Sequence, residues 1–301
     1  DPIRIEDARR QHKLSDIVRG LTKLRPAAGG FMGLCPFHKE KTASFHVSDV
    51  KGTYKCFGCG EWGDVFDWLM KVNGLTFHLI MHTHWDREWY LPRAAFLARL
   101  VPAVGEILDL LERETRARFV LDGQTVLAED ACSVEPSWRD RIAAAVGRGQ
   151  LEVGPWYVLA DEIIPSGESL LRNLLQGARD ATALGGRMDA LYSPDAFGHP
   201  GLLPQLAGAF GIAAAVVWRG LTSPDGVDRD LYRWRAPGGD EVLLHHLPLQ
   251  GYEIGSDLAH PALDAAWRAI RPGLVARSAT SHIAVFVGAD HHAPPRDPAA
   301  M

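Results

Sequence analysis

The sequence predicts a parallel-sheet α/β domain over residues 78–301, preceded over residues 1–77 by a small β module with flanking helices. Three observations carry this. Apolar strand-like runs alternate with helix-like runs throughout the later part. Cys35, Cys56 and Cys59 sit within 25 positions of each other, while the fourth cysteine, Cys132, stands alone. All seven lysines fall at or before Lys71, and the net charge changes from +3 through Phe77 to -8 from His78 onward. Such a break reads as two sequences of different origin joined near Phe77.

The whole chain has 301 residues, 47% hydrophobic and 23% charged, which excludes a disordered or collagen-like protein. No apolar run approaches the ~20 residues of a membrane span, so no membrane partner is expected. Asp1-Pro2-Ile3-Arg4 does not read as a secretory signal. A net charge of -5 argues against a general nucleic-acid binder. Four cysteines are too few for a disulfide framework, and their clustering points to metal binding in a reducing compartment, with a cytoplasmic location expected.

In the first part, Leu14, Ile17, Val18 and Leu21 fall near helical spacing. Cys35 and His38 form one C-x2-H pair, and Cys56 and Cys59 follow seventeen residues later as C-x2-C. Two such knuckles bring four N/S ligands into a tetrahedron that suits Zn²⁺. Gly58 and Gly60 are expected to supply the unusual backbone angles of a knuckle. His46 is a rival ligand, although its mid-strand place favours a strand role. Residues 44–48 alternate as a strand, residues 53–55 lead a second strand into Cys56, and residues 64–70 read as an amphipathic helix with Asp64 near its cap.

Cys35-Pro36-Phe37-His38-Lys39-Glu40-Lys41-Thr42-Ala43-Ser44-Phe45, with residues 54–60 and Gly63-Asp64-Val65-Phe66, resembles the N-terminal zinc-binding domain of bacterial DNA primases. The resemblance covers about residues 12–77 and departs from the family at Ala43 and Trp62, neither a ligand. It implies a small antiparallel sheet with flanking helices, one structural zinc, and a single-stranded DNA partner. Lys39, Lys41, Lys51 and Lys55 are candidates to neutralise phosphates, and Phe45 and Tyr54 to stack on bases. Phe57 is expected to pack against the knuckles instead. No primase polymerase motif follows residue 77, so primer synthesis by this chain alone is not expected.

The second part opens with a buried-type strand at residues 78–81. It continues with helix 94–111, strand 118–121, helix 136–146, strand 150–153, helix 168–184, and strands near Leu191 and at 213–218, 242–245 and 283–287. In a parallel α/β sheet, chemistry belongs in the loops at the strand C-terminal ends. Residues 82–86 and 193–199 fall there, and His84 and Asp86, two apart in an extended segment, face one ion together.

His82-Thr83-His84-Trp85-Asp86-Arg87-Glu88-Trp89, Gly154-Pro155-Trp156-Tyr157-Val158 and Asp195-Ala196-Phe197-Gly198-His199 occur in one order. With Asp161-Glu162, Ser166-Gly167-Glu168, Arg172-Asn173-Leu174-Leu175 and Gly288-Ala289-Asp290-His291 in support, they resemble the N-terminal α/β domain of family 38 α-mannosidases. That family consists of retaining, zinc-dependent glycoside hydrolases. The resemblance implies that His84 and Asp86 are zinc ligands. Asp195 would both contact zinc and attack the anomeric carbon, and Arg219 would stand beside it. An ordinary salt bridge is the other reading of Arg219. Trp89, Tyr252 and Asp290 would line the sugar pocket of a mannose-containing glycan. The fourth zinc ligand and the acid/base carboxylate are expected beyond this α/β segment, which makes the second zinc weakly held. Asp161, Glu162 and Asp290 are the acids the chain itself offers.

Two function classes follow. One is a retaining zinc-dependent α-mannosidase-type domain fused to a DNA-binding zinc finger. The other is a nucleic-acid-binding primase fragment carrying a catalytically silent hydrolase segment.

Overall fold

The computed structural model describes residues 13–221, 228–259 and 263–294, so the opening Asp1-Pro2-Ile3-Arg4 lies outside the described residues. Two compact units divide the chain between Thr76 and Phe77, with residues 281–283 grouped with the first.

The first unit is a five-stranded antiparallel meander. After α1 (Leu14–Val18) come β1 (Leu24–Ala27), β2 (Gly30–Gly33), β3 (Phe45–Ser48), β4 (Thr53–Cys56) and β5 (Trp62–Asp64), each paired with the next, and then α2 (Val65–Asn73). One sheet face is apolar and buried: Phe45, Val47, Tyr54 and Cys56 point inward with Leu14, Val18 and Trp68. Phe37, Phe45, Tyr54 and Trp68 form one aromatic cluster, with Phe37–Trp68 centroids 5.2 Å apart and Phe45–Tyr54 5.3 Å. Truncating a buried ring of this kind to Ala costs roughly 3–5 kcal/mol. α2 starts on a reciprocal pair of bonds: Asp67 N donates to Asp64 Oδ1 (3.1 Å) and Asp64 N to Asp67 Oδ2 (2.8 Å).

Sequence periodicity identifies β3 and β4 and misses β1, β2 and β5. Pro26, Gly30 and Gly33 remove the alternation that marks a strand. Gly30 is there for space, since a Cβ at that position would lie 2.1 Å from Val47 O on the neighbouring strand.

The strands from Thr76 onward form two four-stranded sheets. One has the order β13-β6-β7-β8, from β6 (Thr76–Thr83), β7 (Phe119–Leu121), β8 (Leu151–Glu152) and β13 (His282–Val287). Met81 pairs with Phe119 and Phe119 with Leu151, all parallel. The other has the order β11-β12-β10-β9, from β9 (Ala190–Ser193), β10 (Ala214–Val217), β11 (Leu231–Arg235) and β12 (Glu241–His246). Here β9, β10 and β12 are parallel, and β11 runs antiparallel at the edge. The expected parallel-sheet architecture holds, with β11, a strand the sequence pattern did not mark, added antiparallel at the edge. Its sequence alternates Leu231, Tyr232, Arg233, Trp234, Arg235, as suits an edge strand with one solvated face.

The helices are α3 (Arg93–Arg113), α4 (Val126–Val134), α5 (Trp138–Gly147), α6 (Gly167–Ala183), α7 (Leu203–Ala209) and α8 (Leu263–Arg277). α3 buries Phe96, Leu100, Val104, Ile107, Leu108 and Leu111 on one side, and packs with Phe119, Leu121 and Leu151 in one core. A second core under α6 and α7 joins Leu170, Leu174, Leu203 and Ala207 to Leu191, Val217 and Leu244. Among the described residues, no helix is long and apolar enough to cross a membrane.

Candidate functional site

In the first unit, the ligand atoms of Cys35, His38, Cys56 and Cys59 all lie within 4.8 Å of one another. Cys35 Sγ is 3.9 Å from Cys59 Sγ, and Cys56 Sγ is 3.8 Å from His38 Nδ1. Zn–S bonds of about 2.3 Å arranged tetrahedrally put neighbouring sulfurs about 3.8 Å apart, so the quartet fits zinc. Backbone N–H groups turn onto the sulfurs as knuckles require: Phe37 N to Cys35 Sγ (3.4 Å), and Gly58 N (3.3 Å) and Cys59 N (3.4 Å) to Cys56 Sγ. Burial opposes ionisation of Cys56, but the backbone N–H groups of Cys59 and Gly58 bring its thiol down to about 7, towards the thiolate a metal needs. Burial pushes Cys35 up to about 12.

Gly60 has the expected left-handed backbone, with φ 81°. Gly58 is needed instead for close approach, since a Cβ there would sit 2.8 Å from both His38 Nε2 and Ser44 Oγ. His46 is not in the quartet; its Nε2 lies 3.3 Å from Ala28 O.

The candidate nucleic-acid residues divide. Lys39, Lys41, Lys51 and Lys55 are exposed. Phe45 and Tyr54 are 0% and 2% exposed, sealed in the aromatic cluster, so their rings cannot stack on bases. Phe57, expected to be packed, is 66% exposed, and Lys55 Nζ lies 5.5 Å from its ring centroid. The register places Arg25, Met32, His46, Lys55 and Trp62 opposite one another across all five strands, and so on the face away from the aromatic core. Trp62 is 65% exposed there.

In the second unit, the strand ends deliver side chains to one cleft of about 490 Å³, lined by His84, Asp86, Trp89, Asp161, Ser193, Asp195, Phe197, Arg219, Tyr252 and Asp290 among others. His84 follows β6, Asp195 lies two residues past β9, Arg219 two past β10 and Asp290 three past β13. His84 and Asp290 also face each other across a parallel bridge.

His84 Nε2 is 3.8 Å from Asp86 Oδ1 and 3.6 Å from Asp195 Oδ2. Its other nitrogen, Nδ1, is 3.0 Å from Oδ1 of the fully buried Asp122. Burial disfavours the imidazolium, but the Asp122 carboxylate overrides it and lifts His84 to about 9. Asp122 also accepts from Trp85 N (2.7 Å) and Gln124 Nε2 (2.7 Å), so its lone pairs are well used. Burial raises Asp195, while Asp86, despite burial, is held low by His291 and His84. Arg219 Nη2 is 2.9 Å from Asp195 Oδ1, and its guanidinium lies 3.7 Å from the Trp218 ring centroid and 4.6 Å from that of Phe197. That approach is an ion pair of poor hydrogen-bond angle, which leaves Asp195 Oδ1 without a hydrogen bond among the described residues. The donor set of one imidazole and two carboxylates suits a borderline divalent ion.

The Asp195 loop is fixed by its neighbours. Glu162 accepts from Ser193 Oγ (2.6 Å) and pairs with His199 Nδ1 (2.6 Å), while His199 Nε2 donates to Arg219 O (2.9 Å). Asp161 Oδ1 accepts from Phe197 N (2.9 Å). Asn173 clamps residues 157 and 158 through its side-chain amide, and Gln124 ties Leu159 N to Trp85 O. Of the three candidate acids, Glu162 is therefore buried and fully engaged, and Asp161 positions the loop. Asp290 lines the cleft with Oδ1 accepting from Tyr252 Oη (2.8 Å). Trp89 is 70% exposed at the cleft.

Sequence reasoning did not single out Asp122 or His291. Asp122 stands directly after β7, where the strand-end rule applies to it as it does to His84. His291 Nε2 lies 3.2 Å from Asp86 N and 3.4 Å from Asp86 Oδ2, with its ring packed on Trp85 and Phe96.

Residues 74–296 match the glycosyl hydrolases family 38 N-terminal domain, and residues 2–87 match the CHC2 zinc finger. A protein of Halalkalibacterium halodurans, provisionally named a mannosylglycerate hydrolase, is 37% identical over 198 residues, 60% of this chain and 22% of its own length. A DNA primase of Listeria monocytogenes is 47% identical over 73 residues, 24% of this chain and 12% of its own. An α-mannosidase structure from Enterococcus faecalis superposes with a TM-score of 0.72 at 30% identity, over 75% of this chain and 26% of that one. The chain thus spans about a quarter or less of each relative. With its larger part matched throughout, it belongs to glycosyl hydrolase family 38 through that family's N-terminal domain, joined behind a CHC2 zinc finger of the DNA primase type.

Proposed function

We propose that the second unit is the sugar-binding and nucleophile-bearing part of a retaining, metal-assisted α-mannosidase-type hydrolase. The observation that carries this is the meeting of His84, Asp86, Asp195, Arg219 and Asp290 in one cleft. His84, Asp86 and Asp195 would hold a zinc ion. When bound, it would supply Lewis-acid polarisation of sugar hydroxyls and help distort the ring. Asp195 attacks the anomeric carbon and forms a glycosyl ester; burial raises its carboxyl, and the charges of His84 and then Arg219 oppose that rise. In place of the acid/base carboxylate expected beyond this α/β segment, Asp290, held by Tyr252, donates a proton to the leaving oxygen and then takes one from the water that attacks the glycosyl ester. Trp89 and Phe197 form apolar walls for the sugar, and the pinned loop 193–199 keeps the nucleophile oriented.

An aryl α-mannoside assay with added zinc tests the reading. Asp195→Asn is expected to abolish turnover. Asp290→Asn is expected to lower it roughly 10²–10⁴-fold for an aglycone that needs a proton, and much less for an activated nitrophenyl leaving group. Equal loss for both leaving groups would remove Asp290 from the acid role. The relative's name makes mannosylglycerate the first natural substrate to try.

A second reading belongs to the first unit. The open sheet face with Arg25, His46, Lys55, Phe57 and Trp62 supports binding of single-stranded nucleic acid by phosphate neutralisation and stacking, in place of Phe45 and Tyr54. Trp62→Ala is expected to weaken single-stranded DNA binding by about 1–3 kcal/mol. Lys55→Ala is expected to reduce the salt slope by about one. Binding indifferent to both would sink it.

A further inference from the structure

A four-ligand zinc site built from three thiolates and one imidazole has a choice that a four-thiolate site lacks: which ring nitrogen faces the metal. In this chain His38 Nδ1 lies 3.8 Å from Cys56 Sγ, on the ligand side, and Nε2 lies 3.3 Å from Glu40 Oε2, an ion-pair contact short of hydrogen-bond alignment. The same carboxylate reaches both knuckles. Its Oε1 accepts from Cys35 N at 2.6 Å and from Ser44 N at 3.3 Å. Its Oε2 accepts from Ser44 Oγ at 2.5 Å, and that hydroxyl lies 3.2 Å from Cys56 Sγ. The space beside the ring is closed on the Gly58 side, where even a methyl group would meet His38 Nε2 at 2.8 Å.

We propose that Glu40 is the positioning residue of this metal centre: it holds His38 as the Nε2–H tautomer, so that Nδ1 is the ligand, and ties the Cys35 knuckle to the Cys56 knuckle. Glu40 touches no metal and acts through His38. A carboxylate on the far nitrogen of a metal-bound imidazole fixes the ring and raises its basicity, and losing such a partner typically costs 10–100-fold in metal affinity.

The test uses the full chain loaded with Co²⁺, whose thiolate charge-transfer band reports this site and not the cysteine-free cleft of the second unit. Glu40→Gln is expected to lower Co²⁺ and competing Zn²⁺ affinity about 10–100-fold. In the His38→Cys background, with no imidazole to orient, the same Glu40→Gln change is expected to cost several-fold less. Equal losses in both backgrounds, or no loss in either, overturn the proposal. An independent readout needs no variant: long-range ¹H–¹⁵N spectra of the zinc-loaded chain should show Nδ1 metal-bound and Nε2 protonated. Metal on Nε2 would overturn it even if every substitution failed to fold.

Discussion

Asp122 is the residue whose chemistry the second unit depends on without exposing it. It is fully buried, its backbone is left-handed at φ 52°, and it accepts from Trp85 N and Gln124 Nε2 while facing His84 Nδ1. By engaging Nδ1 it leaves Nε2 turned to Asp86 and Asp195, which parallels what Glu40 does for His38 with the nitrogens exchanged. Asp122→Asn keeps the shape and removes the charge. The expected outcome is a 10–100-fold weaker metal affinity at this site, read by calorimetric zinc titration of a Cys56→Ser chain that lacks the first site. Unchanged affinity would mean that His84 needs no partner. The residue was legible in the sequence only by position, as an acidic side chain directly after a strand. Nothing in its type separates it from the acidic residues around it, because pairing with a histidine 38 positions away is a tertiary fact.

At the scale of elements, two strands of the second unit carry histidines kept neutral by burial, His82 on β6 and His245 on β12, each pushed down to about 4. An unfolded histidine titrates near 6.5, so between pH 6.5 and 4 the unfolded chain binds more protons and stability falls as pH falls. Each contributes a loss of about 2 kcal/mol between pH 7 and 5. His245 stacks on Phe286 at 6.1 Å, and His245→Phe keeps that contact while removing the proton. The variant is expected to lose about 2 kcal/mol less than the parent over that interval, measured by urea unfolding of the second unit. Parallel pH profiles for the two proteins would place His245 in water-like surroundings. Elements with strong patterns were readable in advance: α3 from its apolar stripe, β6 from its run into His84, and the knuckles from cysteine spacing. α4, whose buried face includes Ala128 and Ala131, and the glycine- and proline-bearing β1 and β2 were not. Their stability comes from what packs against them, and periodicity does not record that. The stacking roles given to Phe45 and Tyr54 failed for the same reason. A motif names an aromatic side chain, and only the register decides which sheet face it joins.

The whole molecule places a lysine-bearing, net positive unit ahead of a lysine-free, net negative one, with the family matches overlapping only at residues 74–87. The first unit is small, its core is one aromatic cluster, and its metal centre joins two loops that the sheet alone does not hold. Metal binding there is largely folding free energy. Among the described residues, the second unit has three apolar clusters of its own, and none contains a knuckle residue. Two units with separate cores are expected to unfold separately. Calorimetry of the zinc-loaded chain should show two transitions. Cys56→Ser, which leaves His84, Asp86 and Asp195 intact, should erase the one belonging to the first unit. It should move the other by less than the ~2–4 °C that 1 kcal/mol represents for a unit of this size. Chelation alone is ambiguous, because it would also strip any metal bound at the proposed cleft site, whereas the substitution removes only the knuckle. A single merged transition, or a larger shift on Cys56→Ser, would show that the zinc finger stabilises the hydrolase-type unit. The joined chain would then have to be understood as one cooperative structure.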